Sequence, residues 1–308
     1  MIPLVKVALP PKELLMAKLE EPTNLAIEYV GAKPIFCDVD VTSGNLCPES
    51  ILSSITKKTK ALIVVHYAGY PADIIKIRDI CQKNNVKLIE DCAHALGAKV
   101  GGASVGTFGD YSIFSFQAIK HFTTIDGGFL VCNSQEDYLR AKKIRWFGME
   151  KGQSRTELNI EEIGYKYNYQ NVFATIGLVQ LDYIEDRINK HIENGQYFDS
   201  VFSNLEGLNC AKIPHNAVAS YWLYTLIFDD KKAACYMEEY LLSKGINASK
   251  LHKLNHEHSV FNCDLNLNKT TKFYERMLHI PCGWWVDEIC REQIVSVVKQ
   301  GMENVRAL

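Results

Sequence analysis

Two short apolar runs on either side of one helical stretch constrain the fold of this chain most strongly. The runs cover Lys60–Tyr67 and Val86–Asp91, and the stretch Ala72–Asn84 between them carries Ile74 and Ile77 on an apolar face. Strand, helix and strand at this spacing form a βαβ unit, in which the strands are parallel and buried on both faces. The sequence therefore predicts an α/β fold with a mostly parallel sheet flanked by helices.

The remaining pattern predicts a large domain followed by a smaller one. Further strands are predicted at Tyr111–Phe116, Gly128–Cys132 and Tyr221–Phe228, and helices at Glu136–Trp146, Val172–Leu205 and Lys231–Lys244. A last helix is predicted after Asp287, which can cap its first turn. We expect a large α/β domain over residues 1–205 and a smaller C-terminal α+β domain over residues 206–308.

Composition excludes several classes of partner. With 34 basic and 36 acidic residues the formal net charge is −2, which does not favour nucleic acid or an anionic membrane surface. No stretch approaches the roughly 20 apolar residues that span a bilayer. Ten cysteines occur without a Cys-x-x-Cys pair, a pattern that indicates free thiols in a reducing cytoplasm.

The residues around Lys120 indicate a particular chemistry. Apolar residues surround this lysine between Phe114 and Ile125, and a desolvated lysine amine forms Schiff bases with carbonyl compounds readily. Asp91 ends a predicted buried strand, and ligands of such sheets meet the carboxyl ends of the strands. A Schiff-base lysine, with an acid that can pair with a pyridinium nitrogen, is the minimum apparatus for pyridoxal 5′-phosphate (PLP) chemistry.

Several ordered motifs resemble the DegT/DnrJ/EryC1/StrS family of sugar aminotransferases, PLP enzymes of fold type I. They are Ile89 to Gly97, Phe114 to Lys120, Asp126-Gly127-Gly128, Arg145 to Gly148, Gly164 to Asn168 and Ala174 to Leu181. The resemblance implies the PLP-transferase fold. It also implies amino transfer from an amino acid, with glutamate as the expected donor, to a nucleotide-linked keto sugar. The expected acceptor is a 4-keto-6-deoxy sugar used in surface polysaccharide or glycan biosynthesis.

The resemblance also assigns roles near the predicted strand ends. Lys120 would bind PLP covalently and shuttle a proton, and Asp91 would keep the pyridine nitrogen protonated. Ser115 would donate to the phosphate, with Gln117 nearby, and His94 would lie beside the ring. Relatives that are dehydratases carry histidine in place of the Schiff-base lysine, so Lys120 favours transamination.

The resemblance further implies a homodimer and a substrate loop. Either Lys166 or Asn168 would reach the phosphate of the partner subunit. His252, His256 and His258 would lie near the nucleotide sugar, although an exposed loop without a ligand is the other interpretation. Their spacing could suit a metal, but no HExxH pattern or supporting cluster accompanies it, so no metal site is predicted.

One segment of the family pattern is absent. Residues 1–20 resemble a family N-terminus, whereas Glu21 to Ile27 resemble a segment that relatives reach only much later. The missing part would include a Ser-Gly-Thr turn whose backbone N–H groups bind the phosphate. We therefore hypothesise an internal deletion near Glu20–Pro22, which would leave the sheet with an exposed face or edge.

Two rival interpretations remain. A relative that has lost its cofactor through the deletion would have a regulatory or relic role. An NAD-linked α/β enzyme is the second, although the glycine-rich stretch from Gly101 to Gly109 lacks the Gly-x-Gly-x-x-Gly spacing between a strand and a helix.

Overall fold

A six-stranded sheet forms the centre of the molecule. The computed structural model describes residues 13–16, 21–261 and 267–307. In spatial order the strands are β2 (Lys33–Phe36), β1 (Glu13–Met16), β3 (Thr59–Val65), β4 (Lys87–Asp91), β7 (Tyr111–Ser115) and β8 (Gly128–Cys132). All neighbouring pairs are parallel except β7 with β8. The predicted mostly parallel sheet is therefore confirmed.

Six of the described α-helices lie in the first two thirds of the chain. They are α1 (Glu21–Tyr29), α2 (Pro48–Ser54), α3 (Ile74–Lys83), α4 (Gln135–Ile144), α5 (Asn171–Leu181) and α6 (Ile184–Phe202). Of these, α1, α3 and α4 contact strands of the central sheet. The Asp73 carboxylate caps α3 by accepting from the Lys76 N–H, and the Ser134 hydroxyl caps α4 in the same way. The single long helix predicted over Val172–Leu205 is wrong, because the chain breaks at Asp182–Tyr183 between α5 and α6. None of the described helices is long and apolar enough to cross a membrane.

Smaller antiparallel sheets follow. Strands β9 (Leu208–Cys210), β11 (Tyr224–Phe228) and β12 (Met277–Ile280) form one sheet. Another contains β5 (Lys99–Val100), β6 (Ala103–Ser104) and β10 (Ala217–Val218). The helices of this region are α7 (Lys231–Ser243), α8 (Asn268–Arg276) and α9 (Glu288–Ala307). Asp287 accepts from the Cys290 N–H at 2.8 Å, which confirms its predicted capping role at the start of α9.

One continuous core joins the central sheet to the later elements. Phe198 of α6 packs edge-on against Tyr224 of β11, with 5.1 Å between the ring centroids. Buried residues from Leu15 of β1 to Met302 of α9 belong to the same apolar cluster. The proposed domain division between residues 205 and 206 therefore crosses this shared core, and it stays a prediction.

Strand β1 was not predicted from the sequence. Its residues Glu13–Met16 lie in the segment that was interpreted as a family N-terminus, yet they pair with β2 on one side and β3 on the other. The main sheet has thus begun before the junction at Glu20–Pro22, and Glu20 itself lies outside the described residues. The deletion hypothesis stays a prediction. If residues are missing relative to the family, the missing segment does not include β1.

The sheet ends at β8. This strand pairs with β7 on one side, and on the other side it has no strand partner in the described parts of the chain. Phe129 of β8 is 41% exposed. An open groove of about 310 Å³ runs beside the strand and α4, and its aromatic lining residues are Phe116, Phe129, Tyr138, Tyr167 and Tyr169. In the described residues β8 is therefore an edge strand, and a link between this edge and the hypothesised deletion stays a prediction.

All nine cysteines of the described residues are free thiols, and Cys263 lies outside those residues. Burial raises the pKa of Cys37 to about 11 and that of Cys81 to about 12. These two thiols therefore stay protonated at neutral pH, as expected for structural core residues.

Candidate active site

Asp91 lies at the carboxyl end of β4, in the middle of the parallel strands. Its side chain is buried, with 4% of the residue exposed. The Thr23 hydroxyl of α1 donates to Oδ2 at 2.5 Å, and the Ala93 N–H donates to Oδ1 at 3.0 Å. A buried carboxylate has about four positions that accept hydrogen bonds, so two donors leave it able to accept from a cation.

Lys120 lies in the turn that joins β7 to β8. Its backbone N–H donates to the Gln117 carbonyl at 3.0 Å, which closes a tight turn after the strand. The ammonium Nζ lies 3.9 Å from the centroid of the Trp222 ring. The indole N–H of Trp222 donates to the Ile119 carbonyl at 2.7 Å. Trp222 thus holds both the side chain and the backbone of the Lys120 turn, through a cation–π contact and a hydrogen bond.

His94 connects the Asp91 strand end to the Lys120 turn. Its ring stacks on that of Trp222 with 3.8 Å between centroids, and lies parallel to the His252 ring at 6.4 Å. Burial, followed by the positive charge of Lys120, holds the pKa of His94 well below its ordinary value. His94 is therefore a neutral aromatic group at physiological pH.

Two buried histidines hold the segment that carries Trp222. The imidazole Nε2–H of His121 donates to the Ser220 carbonyl at 2.9 Å. His191 makes the equivalent bond from Nδ1–H to the Tyr221 carbonyl at 2.9 Å. Burial lowers the pKa of His121 to about 3, with His191 as the next cause. Both rings therefore act as neutral hydrogen-bond donors that fix residues 220–222 beside Lys120.

Gly69 permits the same segment to approach the end of β3. Its φ is +94°, and a Cβ placed there would lie 2.6 Å from the Trp222 backbone nitrogen. The Ser220 N–H donates to the Gly69 carbonyl at 2.9 Å, and the Leu223 N–H donates to the Ala68 carbonyl at 3.2 Å. Only glycine combines this backbone conformation with this close packing.

Ser115 and Gln117 lie where the sequence placed them, between the end of β7 and Lys120. The Gln117 N–H donates to the Ser115 hydroxyl at 3.3 Å. Ser115 is half-buried and Gln117 is exposed. Their predicted contacts with a phosphate stay predictions.

Lys166 and Asn168 form a local pair on the surface. The Lys166 Nζ donates to Asn168 Oδ1 at 2.9 Å and lies 5.0 Å from the Trp146 ring centroid. The backbones of Trp146 and Lys166 also form an antiparallel bridge. Their predicted reach across a subunit interface stays a prediction.

The predicted substrate loop is joined to the start of α1 by an ion pair. His252 Nδ1 lies 2.5 Å from Glu21 Oε2, and His258 Nε2 lies 3.5 Å from Oε1. The Lys253 N–H donates to the same Oε1 at 3.1 Å. His252 thereby lies over His94, whereas His256 is half-buried within the short helix Asn255–Glu257. The structure thus brings His252 to the candidate site, and ligand binding by all three histidines stays a prediction.

Sequence reasoning missed three residues of this arrangement: Glu21, Thr23 and Trp222. Their partners lie far away in the chain, since Thr23 bonds a residue 68 positions later. Threonine and glutamate in a first helical turn usually indicate only local capping. Tyr221 and Trp222 were assigned to a strand, but β11 begins at Tyr224 and Tyr221 has a φ of +44°.

A second buried polar cluster lies deeper under the sheet end. Potential ligand atoms of His66, Glu90 and Cys92 all lie within 4.8 Å of one another. Burial alone would raise the pKa of Glu90, but His66 and the N–H groups of Gly106 and Gly109 outweigh it and lower that pKa. The hydrogen bonds that Glu90 accepts tie β4 to the turn before β7, which is a structural role.

Comparisons with known proteins agree on one family. Residues 21–300 match the DegT/DnrJ/EryC1/StrS aminotransferase family. The chain is 30% identical over 289 residues to the dTDP-4-dehydro-2,3,6-trideoxy-D-glucose 4-aminotransferase of Saccharopolyspora spinosa, covering 91% of this chain and 75% of that protein. It is 35% identical over 202 residues to the GDP-perosamine synthase of Escherichia coli O157:H7, covering 66% and 54%. It also spans 55% of an uncharacterized protein of Methanocaldococcus jannaschii, at 36% identity over 214 residues and 67% of this chain.

Solved structures resemble the whole described fold. The sugar aminotransferase CalS13 from Micromonospora echinospora superposes with a TM-score of 0.92 at 30% identity, covering 97% of this chain and 83% of CalS13. AtS13 from Actinomadura melliaura gives a TM-score of 0.89 at 31% identity, covering 94% and 79%. This likeness confirms the predicted PLP-transferase architecture.

Proposed function

The chain belongs to the DegT/DnrJ/EryC1/StrS aminotransferase family, and from that premise we propose that it transfers an amino group to a keto group of a nucleotide-linked deoxy sugar. Two relatives carry names that refer to nucleotide-linked sugars: one is a 4-aminotransferase of a dTDP-linked 4-dehydro sugar, and the other is a GDP-perosamine synthase. In this proposal the acceptor is a 4-keto-6-deoxy sugar. The donor is an amino acid, and glutamate is the first candidate. The observation that carries the proposal is the buried Asp91 carboxylate at a strand end beside the Lys120 turn.

The residues present fit the cofactor. In the described residues the Asp91 carboxylate accepts two hydrogen bonds, and its burial favours a cationic donor as a third partner. A protonated pyridine nitrogen is such a donor. Lys120 supplies the primary amine for covalent attachment of an aldehyde, and Ser115 supplies a hydroxyl for the phosphate. Bound PLP supplies an electron sink for breaking bonds at the carbon that carries the amino group.

This chain's own residues orient the substrates and move the proton. The Lys120 Nζ takes a proton from the amino-bearing carbon of the donor and later returns one to the sugar carbon. Trp222 keeps the lysine turn in place. Because His94 is neutral, it adds no second positive charge beside Lys120. His252, held by Glu21, contributes a polar edge over the site for the sugar.

A homodimer is part of the proposal. Helix α5 exposes Val172 by 67%, Leu178 by 68% and Val179 by 56%. Several exposed large apolar residues on one helix favour a protein interface, which supports a second subunit. Either Lys166 or Asn168 then acts on the cofactor phosphate of the partner subunit.

The decisive experiment is borohydride trapping on the purified protein. With PLP added, the wild-type chain is expected to develop an absorbance band near the edge of the visible range. Borohydride reduction should then leave a stable adduct on Lys120, which peptide mass spectrometry can locate. Lys120→Ala should abolish the adduct, whereas Lys299→Ala, on the exposed side of α9, should leave it intact. An adduct on another lysine would refute the assignment.

The substrate part needs its own test. The PLP-loaded protein is incubated with glutamate and 4-keto-6-deoxy sugars on dTDP or GDP, and the amino sugar is detected by mass spectrometry. Folded protein that takes up no PLP would favour the alternative, a non-catalytic relative with a regulatory or relic role. Adduct formation without turnover on any keto sugar would refute the nucleotide-sugar assignment alone.

A further inference from the structure

The hydrogen bond between Thr23 and Asp91 joins the first turn of α1 to the candidate cofactor acid. Both residues are buried, at 5% and 4% exposure, and the oxygens are 2.5 Å apart. A hydroxyl that donates to a carboxylate at this distance forms a strong, charge-assisted hydrogen bond. We propose that Thr23 is a positioning residue, which holds the Asp91 carboxylate in the orientation that binds a protonated heteroaromatic ring nitrogen. The proposal rests on the function proposed above.

Two donors from different parts of the fold fix the carboxylate plane. Thr23 holds Oδ2, whereas the Ala93 N–H, just beyond β4, holds Oδ1. Rotation about the Cβ–Cγ bond of Asp91 would break both bonds together. The acceptor positions that remain therefore point in fixed directions, which is what recognition of a single ring N–H requires.

The helix turn that carries Thr23 is itself immobilised. Pro22 fixes the backbone at the second residue of α1, a position where proline is tolerated. Glu21 is bound to His252 and to the Lys253 N–H. Threonine is also branched at Cβ, so few side-chain rotamers are open to it. The Thr23 hydroxyl is therefore already oriented towards Asp91, and neither the backbone nor the side chain of Thr23 has to become more ordered when a ligand binds.

A purely structural role is the competing explanation, and a cofactor analogue separates the two. In 1-deaza-PLP the ring nitrogen is replaced by carbon, so the analogue has the same shape but offers no N–H to Asp91. Binding is followed by absorbance titration and by the yield of borohydride adduct on Lys120. The four combinations of wild-type or Thr23→Val protein with PLP or the analogue form a double-mutant cycle.

The expected pattern is specific to the ring nitrogen. Thr23→Val, which keeps the side-chain shape, should weaken PLP binding about ten-fold or more, because a hydrogen bond to a charged group is lost. Thr23→Ser should stay within about three-fold of wild type, since it retains the hydroxyl. The wild-type and Thr23→Val proteins should bind the analogue equally. Thr225→Val, which removes a buried hydroxyl that bonds His279, is the matched control and should leave PLP affinity unchanged.

The opposite results are equally clear. Equal weakening for PLP and the analogue would assign Thr23 a structural role only, and unchanged PLP binding by Thr23→Val would also overturn the inference. Should Thr23→Val fail to fold by circular dichroism, Thr23→Ala takes its place in the same cycle. A wild-type protein that forms no Lys120 adduct would overturn the proposed function itself, and the inference with it.

Discussion

The indole ring of Trp222 stacks on the imidazole ring of His94, with 3.8 Å between centroids and 19° between planes. The same indole faces the Lys120 ammonium and bonds the Ile119 carbonyl. One side chain thus joins the residues that follow β4 to the turn that follows β7. The segment that supplies it comes more than 100 residues later, so the site exists only when the late part of the chain has packed.

Replacing Trp222 should therefore destabilise the protein. Trp222→Ala is expected to cost about 3–5 kcal/mol of unfolding free energy, because a large buried side chain is lost. Trp222→Phe should cost less, about 1–2 kcal/mol, since a smaller aromatic ring still fills most of the space and the N–H donor is lost. Urea unfolding measures both values. Trp284→Ala is the control, because Trp284 is 47% exposed; a comparable loss there would contradict the role of Trp222.

Gly69→Ala should be far more harmful than Gly31→Ala. Both glycines have positive φ, +94° and +70°, but a Cβ at Gly69 meets the Trp222 nitrogen, whereas at Gly31 it meets nothing within 4 Å. Gly31→Ala should cost about 1 kcal/mol from backbone strain alone, and Gly69→Ala about 3 kcal/mol or more. Urea unfolding compares them. Equal costs would show that the close approach does not limit the site.

Buried histidines make stability depend on pH. Burial lowers the pKa of His121 and of His279 to about 3, from an ordinary value of 6.5. As pH falls below about 6.5 the unfolded chain takes up protons that the folded protein does not. The stabilisation is therefore complete above pH 6.5 and declines towards pH 3.

The size of this effect can be measured by urea unfolding between pH 7.5 and 4.5. Each of the two histidines should contribute a slope of about 1.4 kcal/mol per pH unit in the lower part of that range. His121→Gln should remove one such contribution. An unchanged slope in that variant would contradict the assignment of His121 as a neutral buried donor.

Breaking the Glu21 ion pair should affect the sugar more than the cofactor. Glu21→Gln removes the carboxylate that holds His252 and His258. A half-buried pair contributes about 1 kcal/mol, so KM for the keto sugar should rise roughly five-fold. The yield of borohydride adduct on Lys120 should change less than KM, because the amide oxygen in this variant can still accept from the Lys253 N–H and keep the first turn of α1 in place. Glu28→Gln, on the exposed side of the same helix, is the control. An equal rise in KM in that variant would contradict a role for the contact between Glu21 and His252.

Local patterns predicted the parts of the site that depend on one strand and its end. Asp91 follows a buried strand and Lys120 follows the next one, so both could be placed from apolar runs and the parallel-sheet rule. Thr23 and Trp222 could not be placed, because their contacts join distant segments. Strand β1 was missed because Leu14, Leu15 and Met16 favour helices as single residues, and only pairing with β2 and β3 decides their conformation. The break at Tyr183 was missed because the apolar spacing continues across it.

The outer side of β8 has a practical consequence for anyone who purifies this protein. In the described residues its free edge presents backbone amides and carbonyls beside the exposed Phe129 ring, with no charged side chain within the strand itself. Such an edge is a template on which extended segments of other molecules add, and it is a recognised starting point for aggregation. Concentrated stocks should therefore lose material to precipitation faster than dilute ones, and Phe129→Lys should slow that loss.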